Sequence, residues 1–388
     1  MQENYQILQI CLSSSWGGLE MVALEMAEYF KAQGVLSCVS AGAVLEKKLG
    51  EKGMDFQELP GGKKSYFSRA LALRKILKGS QIRVVLVQQL HDLWYLRLAL
   101  IGLDHPPRIV GLSHTFVGLS KKDFMHKWIY SSLSKLICLT EVHKKNLLKY
   151  LPVSDKQLEV IPNAVSLSRF SPKKRSDKLR QEWQTQANQV LIGLVGRLDA
   201  GKGQDTLLEA AKILQQRGIE QFRIILVGED TLNNKGTGQR LRDYVQQNGL
   251  EKTVVFTGFR QDVPEIMASL DVLVMASEAE TFGRVIIEGM ASGVPVIGTK
   301  AGGVVDIIDE GINGLLVPHK NPEALADALF QMIENDHMRK RMTQAALKKA
   351  ESVYAEGVVM PQISKVLGSL SSSAEVARDL GKNSRIQN

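Results

Sequence analysis

The sequence predicts an α/β protein built from two doubly wound parallel-sheet halves in tandem. Three observations carry this expectation. Short apolar runs of strand length alternate with longer stretches whose apolar residues fall at helical spacing. The alternation halts at a polar, basic stretch, Ser171–Asp177, and restarts at Val190. The 388 residues suffice for about two domains of ordinary size.

Taken in order, Gln6–Leu12 is a short buried strand, and a turn at Ser13–Gly18 follows. Leu19–Gln33 is helical, because Val22, Leu24, Met26, Ala27 and Phe30 share a face. Arg83–Val87, Arg108–Leu112 and Leu136–Leu139 are the further strands of the first half. In the second half Val190–Val195, Phe222–Val227, Val254–Thr257, Val272–Met275 and Val294–Gly298 are strands. Asp205–Gln216, Gln239–Asn248, Val263–Ala268 and Arg284–Met290 are the helices between them. Strands separated by helices make a parallel sheet covered on both faces. The expected domains are 1–170, joined by a C-terminal helix at about 353–368 that packs back on it, and 188–350. A linker lies at about 170–187 and a serine-rich flexible tail at 369–388.

Composition removes several function classes. Apolar residues make up 44% and charged residues 23%, which excludes a disordered or fibrous chain. The most apolar stretch, Val84–Leu103, is broken by Gln88, Gln89, His91, Asp92 and Arg97, so no membrane span is expected. The N-terminus lacks the basic and apolar regions of a secretory signal. Cys11, Cys38 and Cys138 are scattered and odd in number, which fits a reducing cytoplasm better than a disulfide or zinc framework. The net charge of +8 is uneven. Residues 1–186 hold 27 Lys and Arg against 16 Asp and Glu, while the rest holds 22 against 25. A basic first half suits a polyanionic partner, which leaves nucleic acid, an anionic membrane and a phosphorylated substrate open.

The richest segment for chemistry is Asp271–Thr299. A strand ends near Met275, a loop carries Glu278 and Glu280, and a helix starts near Gly283 and carries Glu288. The free amides of Phe282, Gly283 and Arg284 at that helix start suit an anion such as a diphosphate. Carboxylates beside them suit sugar and ribose hydroxyls, from which they accept strong hydrogen bonds. Plain capping by Glu280 and a solvated Glu288 is the competing reading.

With its seven intervening residues, this glutamate pair resembles the motif of retaining glycosyltransferases of the GT-B fold, large family 4 (glycosyltransferase group 1). ETFG around Glu280 and GVPVIGT after Glu288 match as well. So do IPNAV at 161–165, GRLDAGKG at 196–203, VGED at 227–230, FTGF at 256–259, AGG at 301–303 and GINGLLVP at 311–318. The resemblance spans roughly residues 5–368. It implies two Rossmann-like domains facing a cleft, with the acceptor on the first and a nucleotide-diphospho-sugar on the second. UDP and GDP are the expected nucleotides, and no metal or other cofactor is implied. It gives Glu280 the donor sugar, Glu288 the ribose, and Arg197 and Lys202 the diphosphate. Asp306 stands where the family more usually has Glu, a mild departure.

Three further segments need weighing. Gly196-x4-Gly201-Lys202 nearly reproduces a P-loop, but Gly203 stands where Ser or Thr would bind magnesium. Gly17 and Gly18 open the first helix without forming GxGxxG, since Ser13 and Ser15 hold the first two positions. The resemblance implies that their backbone approaches a phosphate or the acceptor; a plain turn is the alternative. His114 follows the strand Arg108–Leu112, where the family often has a histidine contacting the donor sugar. His91 and Asp92 also follow a strand but match no motif. No Asp-x-Asp occurs, in keeping with cationic side chains holding the diphosphate.

Residues 61–78 and 121–130 mingle Lys63, Lys64, Arg69, Arg74, Lys121, Lys122 and Lys127 with Tyr66, Phe67, Phe124 and Trp128. Such clusters suit an anionic membrane surface, or simply a helix with a solvated basic face. The resemblance therefore implies a retaining hexosyltransferase acting on a glycolipid, polysaccharide or oligosaccharide acceptor of lipopolysaccharide type in the cell envelope. It would be cytoplasmic and peripheral on the inner membrane face. No nucleic-acid-binding module is visible, and nucleic acid is not an expected partner. The rivals are a catalytically silent sugar-nucleotide-binding protein and a P-loop-like NTPase.

Overall fold

The computed structural model describes residues 6–60, 66–78, 80–230 and 236–370. Lys63, Lys64 and nearly all of the expected tail lie outside the described residues. The chain divides into two compact units, one of residues 1–163 with 359–388 and one of 164–358.

The first unit is built on a seven-stranded sheet. Its strands are β1 (Ile7–Cys11), β2 (Val35–Ser40), β3 (Phe56–Leu59), β4 (Val84–Val87), β5 (Arg108–Leu112), β6 (Leu133–Cys138) and β7 (Leu158–Val160). They lie in the order β3-β2-β1-β4-β5-β6-β7, all parallel. The central strands are apolar along their length because helices cover both faces: every residue of β1 and β4 is buried. Leu8, Ile10, Val85, Leu93, Leu96 and Leu136 form its core.

The second unit repeats the plan with six strands. These are β8 (Val190–Val195), β9 (Phe222–Val227), β10 (Val254–Gly258), β11 (Val272–Met275), β12 (Val296–Thr299) and β13 (Gly314–Val317). Their order is β10-β9-β8-β11-β12-β13, again all parallel. Its core joins Leu207, Leu208, Phe222, Ile224, Val274 and Leu329. Burying side chains of this size contributes roughly 1.5–3 kcal/mol each.

Within the stretch expected as a linker, Pro172–Lys174 and Asp177–Glu182 are helical, and Leu179 and Trp183 are buried. Arg180 explains the attachment. Its guanidinium donates to the Ser269 carbonyl at 3.1 Å, the Asp271 carboxylate at 2.9 Å and the Gln189 carbonyl at 3.0 Å. Asp271 also accepts from the Leu191 amide at 2.8 Å. The C-terminal helix Glu356–Leu370 counts with the first unit from Val359 onward, where Met360, Ile363 and Leu367 are buried.

In each sheet the strand order reverses once, between β1 and β4 and between β8 and β11. Loops leaving neighbouring strands in opposite directions open a crevice there, the usual ligand position in such sheets.

Candidate functional site

The expected site residues divide between the units. Arg197, Lys202, Glu280, Phe282, Gly283 and Glu288 belong to the second; Gly17, Gly18 and His114 belong to the first.

In the second unit, β8 and β11 are neighbours, so the loops after them meet. Lys202 leaves the first loop and pairs with the Glu280 carboxylate of the second. Ser277 donates to the same carboxylate at 3.3 Å. The Glu278 amide donates to the Gly201 carbonyl at 2.9 Å, joining the two loops by backbone as well. Arg197 follows β8 and is exposed, and its carbonyl accepts from the buried Gln204 at 2.8 Å.

Glycines fix these loops. Gly203 starts the helix Gln204–Gln216 with φ of 81°, and a Cβ there would lie 2.1 Å from the Ala276 carbonyl oxygen. No Ser or Thr fits the position, so the P-loop arrangement is sterically closed. Gly302 has φ of 57°, and a Cβ there would meet the Glu280 carbonyl at 2.2 Å. Gly303 then donates its amide to that carbonyl at 2.7 Å. The AGG stretch thus clamps the Glu280 backbone, a role its residue types alone do not reveal.

Gly283, φ 83°, caps the helix Arg284–Ala291. Glu288 lies one turn further along, where Arg284 donates to it at 3.2 Å. Both side chains are largely withdrawn from solvent. The Phe282 ring is buried edge-to-face on Tyr354, with centroids 5.9 Å apart, so only its backbone is available to a ligand.

In the first unit, Gly17 has extended backbone and Gly18 begins the helix Gly18–Phe30. Neither needs glycine for conformation. A Cβ at Gly18 would meet nothing within 4 Å. His114 donates from Nε2 to the Gln88 side chain at 3.0 Å. Gln88 donates to Gln9 at 3.2 Å, and Gln9 to the Ala23 carbonyl at 2.9 Å. A buried polar chain therefore spans β5, β4 and β1. His114 lines a cavity of about 510 Å³.

The loop carrying His114 hangs on His143, which the sequence reading passes over. His143 is fully buried, and its Nε2 lies 3.1 Å from Ser113 Oγ and 3.2 Å from the Thr115 carbonyl. The carbonyl only accepts, so Nε2 carries the proton, and Nδ1 accepts from the Leu139 amide at 3.4 Å. Burial pushes this imidazole down to about 4.

Among the described residues no group of three or more His, Cys, Asp or Glu gathers as a metal site. None of their helices is long and apolar enough to cross a membrane.

Comparison with known proteins agrees with this division. Residues 16–169 match the family model described as Glycosyltransferase Family 4, and residues 175–349 match that of Glycosyl transferases group 1. The D-inositol 3-phosphate glycosyltransferase of Corynebacterium kroppenstedtii is 26% identical over 270 residues, 67% of this chain and 59% of that protein. A GDP-mannose-dependent alpha-mannosyltransferase of Corynebacterium glutamicum is 34% identical over 47% of this chain and 40% of its own. The chain thus spans only about half the length of the curated relatives it matches. Among solved structures, a glycosyltransferase from Rickettsia africae superposes with a TM-score of 0.86 at 22% identity, covering 96% of this chain and all of the other. HepE of Anabaena in complex with UDP and glucose gives 0.80 at 23%, covering 94% and all. These likenesses show the fold, two Rossmann-like domains of GT-B type.

Proposed function

We propose that this chain, with a group 1 glycosyltransferase domain in residues 175–349 and a family 4 domain in residues 16–169, moves a sugar from a nucleotide-diphospho-sugar to an acceptor. The reaction retains the anomeric configuration and needs no metal. The observation that carries the reading is the junction of the β8 and β11 loops, where Lys202, Glu280 and the start of the helix Arg284–Ala291 come together. This supplies a cation, a carboxylate and a helix N-terminus within one crevice.

The roles follow from charge. Arg197, Lys202 and the amides near Gly283 hold the diphosphate, whose negative charge grows as the sugar leaves. Bound diphosphate competes with Glu280 for Lys202, which releases the Glu280 carboxylate to the sugar hydroxyls. Glu288, oriented by Arg284, accepts from the ribose. The acceptor oxygen forms its bond to the anomeric carbon on the face that the leaving phosphate oxygen vacates. That oxygen keeps the electron pair of the broken bond and takes the acceptor proton.

UDP and GDP are the nucleotides to try first: one structural neighbour holds UDP and glucose, and one relative is named for GDP-mannose. An envelope glycolipid, polysaccharide or oligosaccharide of lipopolysaccharide type is the acceptor we favour, reached from the inner face of an anionic cytoplasmic membrane. Relatives named for inositol phosphate and mannosylfructose phosphate widen this to phosphorylated acceptors. The membrane part rests on exposed apolar residues beside basic ones. Phe67, Leu119 and Phe124 are 76%, 80% and 86% exposed, with Lys121, Lys122 and Lys127 near them in sequence. Trp128 is not among the anchors, because it packs half-buried under the Arg97 guanidinium.

A thermal-shift panel of UDP-, GDP- and ADP-sugars tests the donor, since a ligand at 100 times its Kd adds about 2.7 kcal/mol. NMR of the product's anomeric proton tests retention. No shift with any nucleotide-sugar would overturn the reading. Binding without transfer or hydrolysis would leave a silent sugar-nucleotide sensor.

A further inference from the structure

We infer that the cavity at the carboxyl ends of β4 and β5 is a binding site for a phosphoryl group, with His91 and Lys121 as its cationic walls. The inference deepens the acceptor side of the proposed reaction and rests on that reading.

The cavity is walled by two segments, one around residues 88–91 and one around 112–121, and by Leu19 of the first helix. At about 510 Å³ it has the size of a small-molecule site. His91 and Lys121 line it, and no Asp or Glu does. Lys121 has no ion-pair partner among the described residues. Its backbone is fixed, because its amide donates to the Tyr150 carbonyl at 2.8 Å.

Asp92 explains how His91 carries charge there. Asp92 is 0% exposed, and among the described residues its one ion-pair partner is His91, whose Nε2 lies 3.0 Å away. Among the described residues no group meets hydrogen-bond geometry with either oxygen of this carboxylate. A carboxylate withdrawn from water costs several kcal/mol unless a cation compensates it. The imidazolium is that cation, and its ring is more than half exposed. Three charged groups act on His91: Asp92 from the same turn, Arg69 from the helix Tyr66–Leu77, and Lys121 from the facing loop. The contact with Asp92 raises the imidazole above its ordinary value, against burial and the two cations, which lower it. The cavity therefore presents an imidazole biased toward its charged form and an ammonium, with no Asp or Glu on its lining.

The sequence segment that carries both cavity walls is itself basic. Residues 61–130 contain 12 Lys and Arg against 3 Asp and no Glu, enough to account for the net +8 of the whole chain. One of those three acids is Asp92, which is spent on His91. An anion is drawn toward a basic segment and meets two basic side chains at the cavity. A phosphoryl group, with several strong acceptor oxygens, fits both.

The test uses the full chain and inorganic phosphate, with UDP binding measured in parallel by calorimetry. The His91 imidazole signal, assigned by its loss in His91→Gln, is expected to move saturably with phosphate. His91→Gln and Lys121→Gln are each expected to weaken phosphate binding about 10- to 100-fold, the effect of one charge-assisted hydrogen bond. UDP affinity is expected to stay unchanged. Asp92→Asn separates positioning from mere structure: relative to wild type at the same pH, it weakens phosphate binding more at pH 7.5 than at pH 5.5, the comparison being made at each pH because phosphate itself titrates between them. Vesicles of phosphatidate in neutral lipid identify the source. Displacement of phosphate by these vesicles marks a lipid headgroup, and indifference to them marks a soluble phosphorylated acceptor. Equal phosphate affinity in wild type and His91→Gln, with UDP still bound, overturns the inference alone. Loss of UDP binding in the wild type overturns the donor reading instead.

Discussion

Lys202 and Glu280, 78 residues apart in the chain, form one ion pair at the point where the second sheet reverses its strand order. Replacing Lys202 by Ala removes a cation that acts on developing charge, and turnover is expected to fall about 100- to 1000-fold. Stability is expected to change by less than about 1 kcal/mol, since both partners are partly solvated. Steady-state kinetics alongside denaturant melts check this. Near-normal turnover would remove Lys202 from the diphosphate site.

The two glutamates separate by ligand. Glu288→Ala is expected to weaken free nucleoside diphosphate binding, because the ribose loses its acceptor. Glu280→Ala is expected to spare that binding and lower transfer, because it serves the sugar. Calorimetry with UDP distinguishes them, and equal losses in both variants would contradict the division.

Gly203→Ala forces a methyl group to within 2.1 Å of the Ala276 carbonyl while keeping φ at 81°. It is expected to cost at least about 2 kcal/mol of stability. Gly18→Ala meets open space and is expected to cost less than about 1 kcal/mol. If the backbone at Gly18 approaches a ligand, activity falls in that variant without loss of Tm. Two melting curves and two rates decide both points.

His143 makes the first unit sensitive to acid. Its imidazole sits at about 4 in the folded state, against an ordinary value near 6.5. Between these values the unfolded chain binds the proton and the folded chain does not, so stability is full above pH 6.5 and declines as pH falls toward 4. The loss is about 3 kcal/mol at most. His143→Gln is expected to flatten this part of the pH–stability curve. An unchanged slope would show that another group titrates there.

Vesicle sedimentation checks the membrane reading. Each basic residue near an anionic surface contributes about 1 kcal/mol, decaying over a Debye length of roughly 8 Å at physiological salt. The protein is expected to pellet with anionic vesicles, weakly with neutral ones, and to be released by salt. Phe124→Ser is expected to reduce any salt-resistant fraction. Indifference to vesicle charge would leave the basic half to a soluble anion.

The sheets were legible in the sequence where strands are buried on both faces. β4, β8 and β11 are unbroken runs without a polar side chain, and β1 and β9 are each interrupted once, by Gln9 and Arg223, so their positions follow from the pattern. β2 was not, although it is buried, because Ser37 and Ser40 break its apolar pattern, nor was β3, because this edge strand exposes Gln57 and Glu58. β7 has only three residues, and β13 opens on a glycine. The candidate site shows the same limit. The residue types at Lys202, Glu280 and Glu288 drew notice, but pairing over long separations leaves no local signal. Neither does a clamp such as Gly302, whose role depends on a carbonyl 22 residues earlier. His91 and Asp92 are adjacent, yet only burial reveals that one serves the other.

Arg180 carries a consequence for cutting the chain. A fragment beginning at Val190 keeps all six strands of the second sheet and looks self-sufficient. It nevertheless lacks the guanidinium that straps Ser269 and Asp271 at the foot of β11, the strand whose far end presents Glu280. The smallest autonomous piece of this half therefore begins ahead of its own sheet, and a protease that nicks just before Leu191 would loosen the crevice from behind.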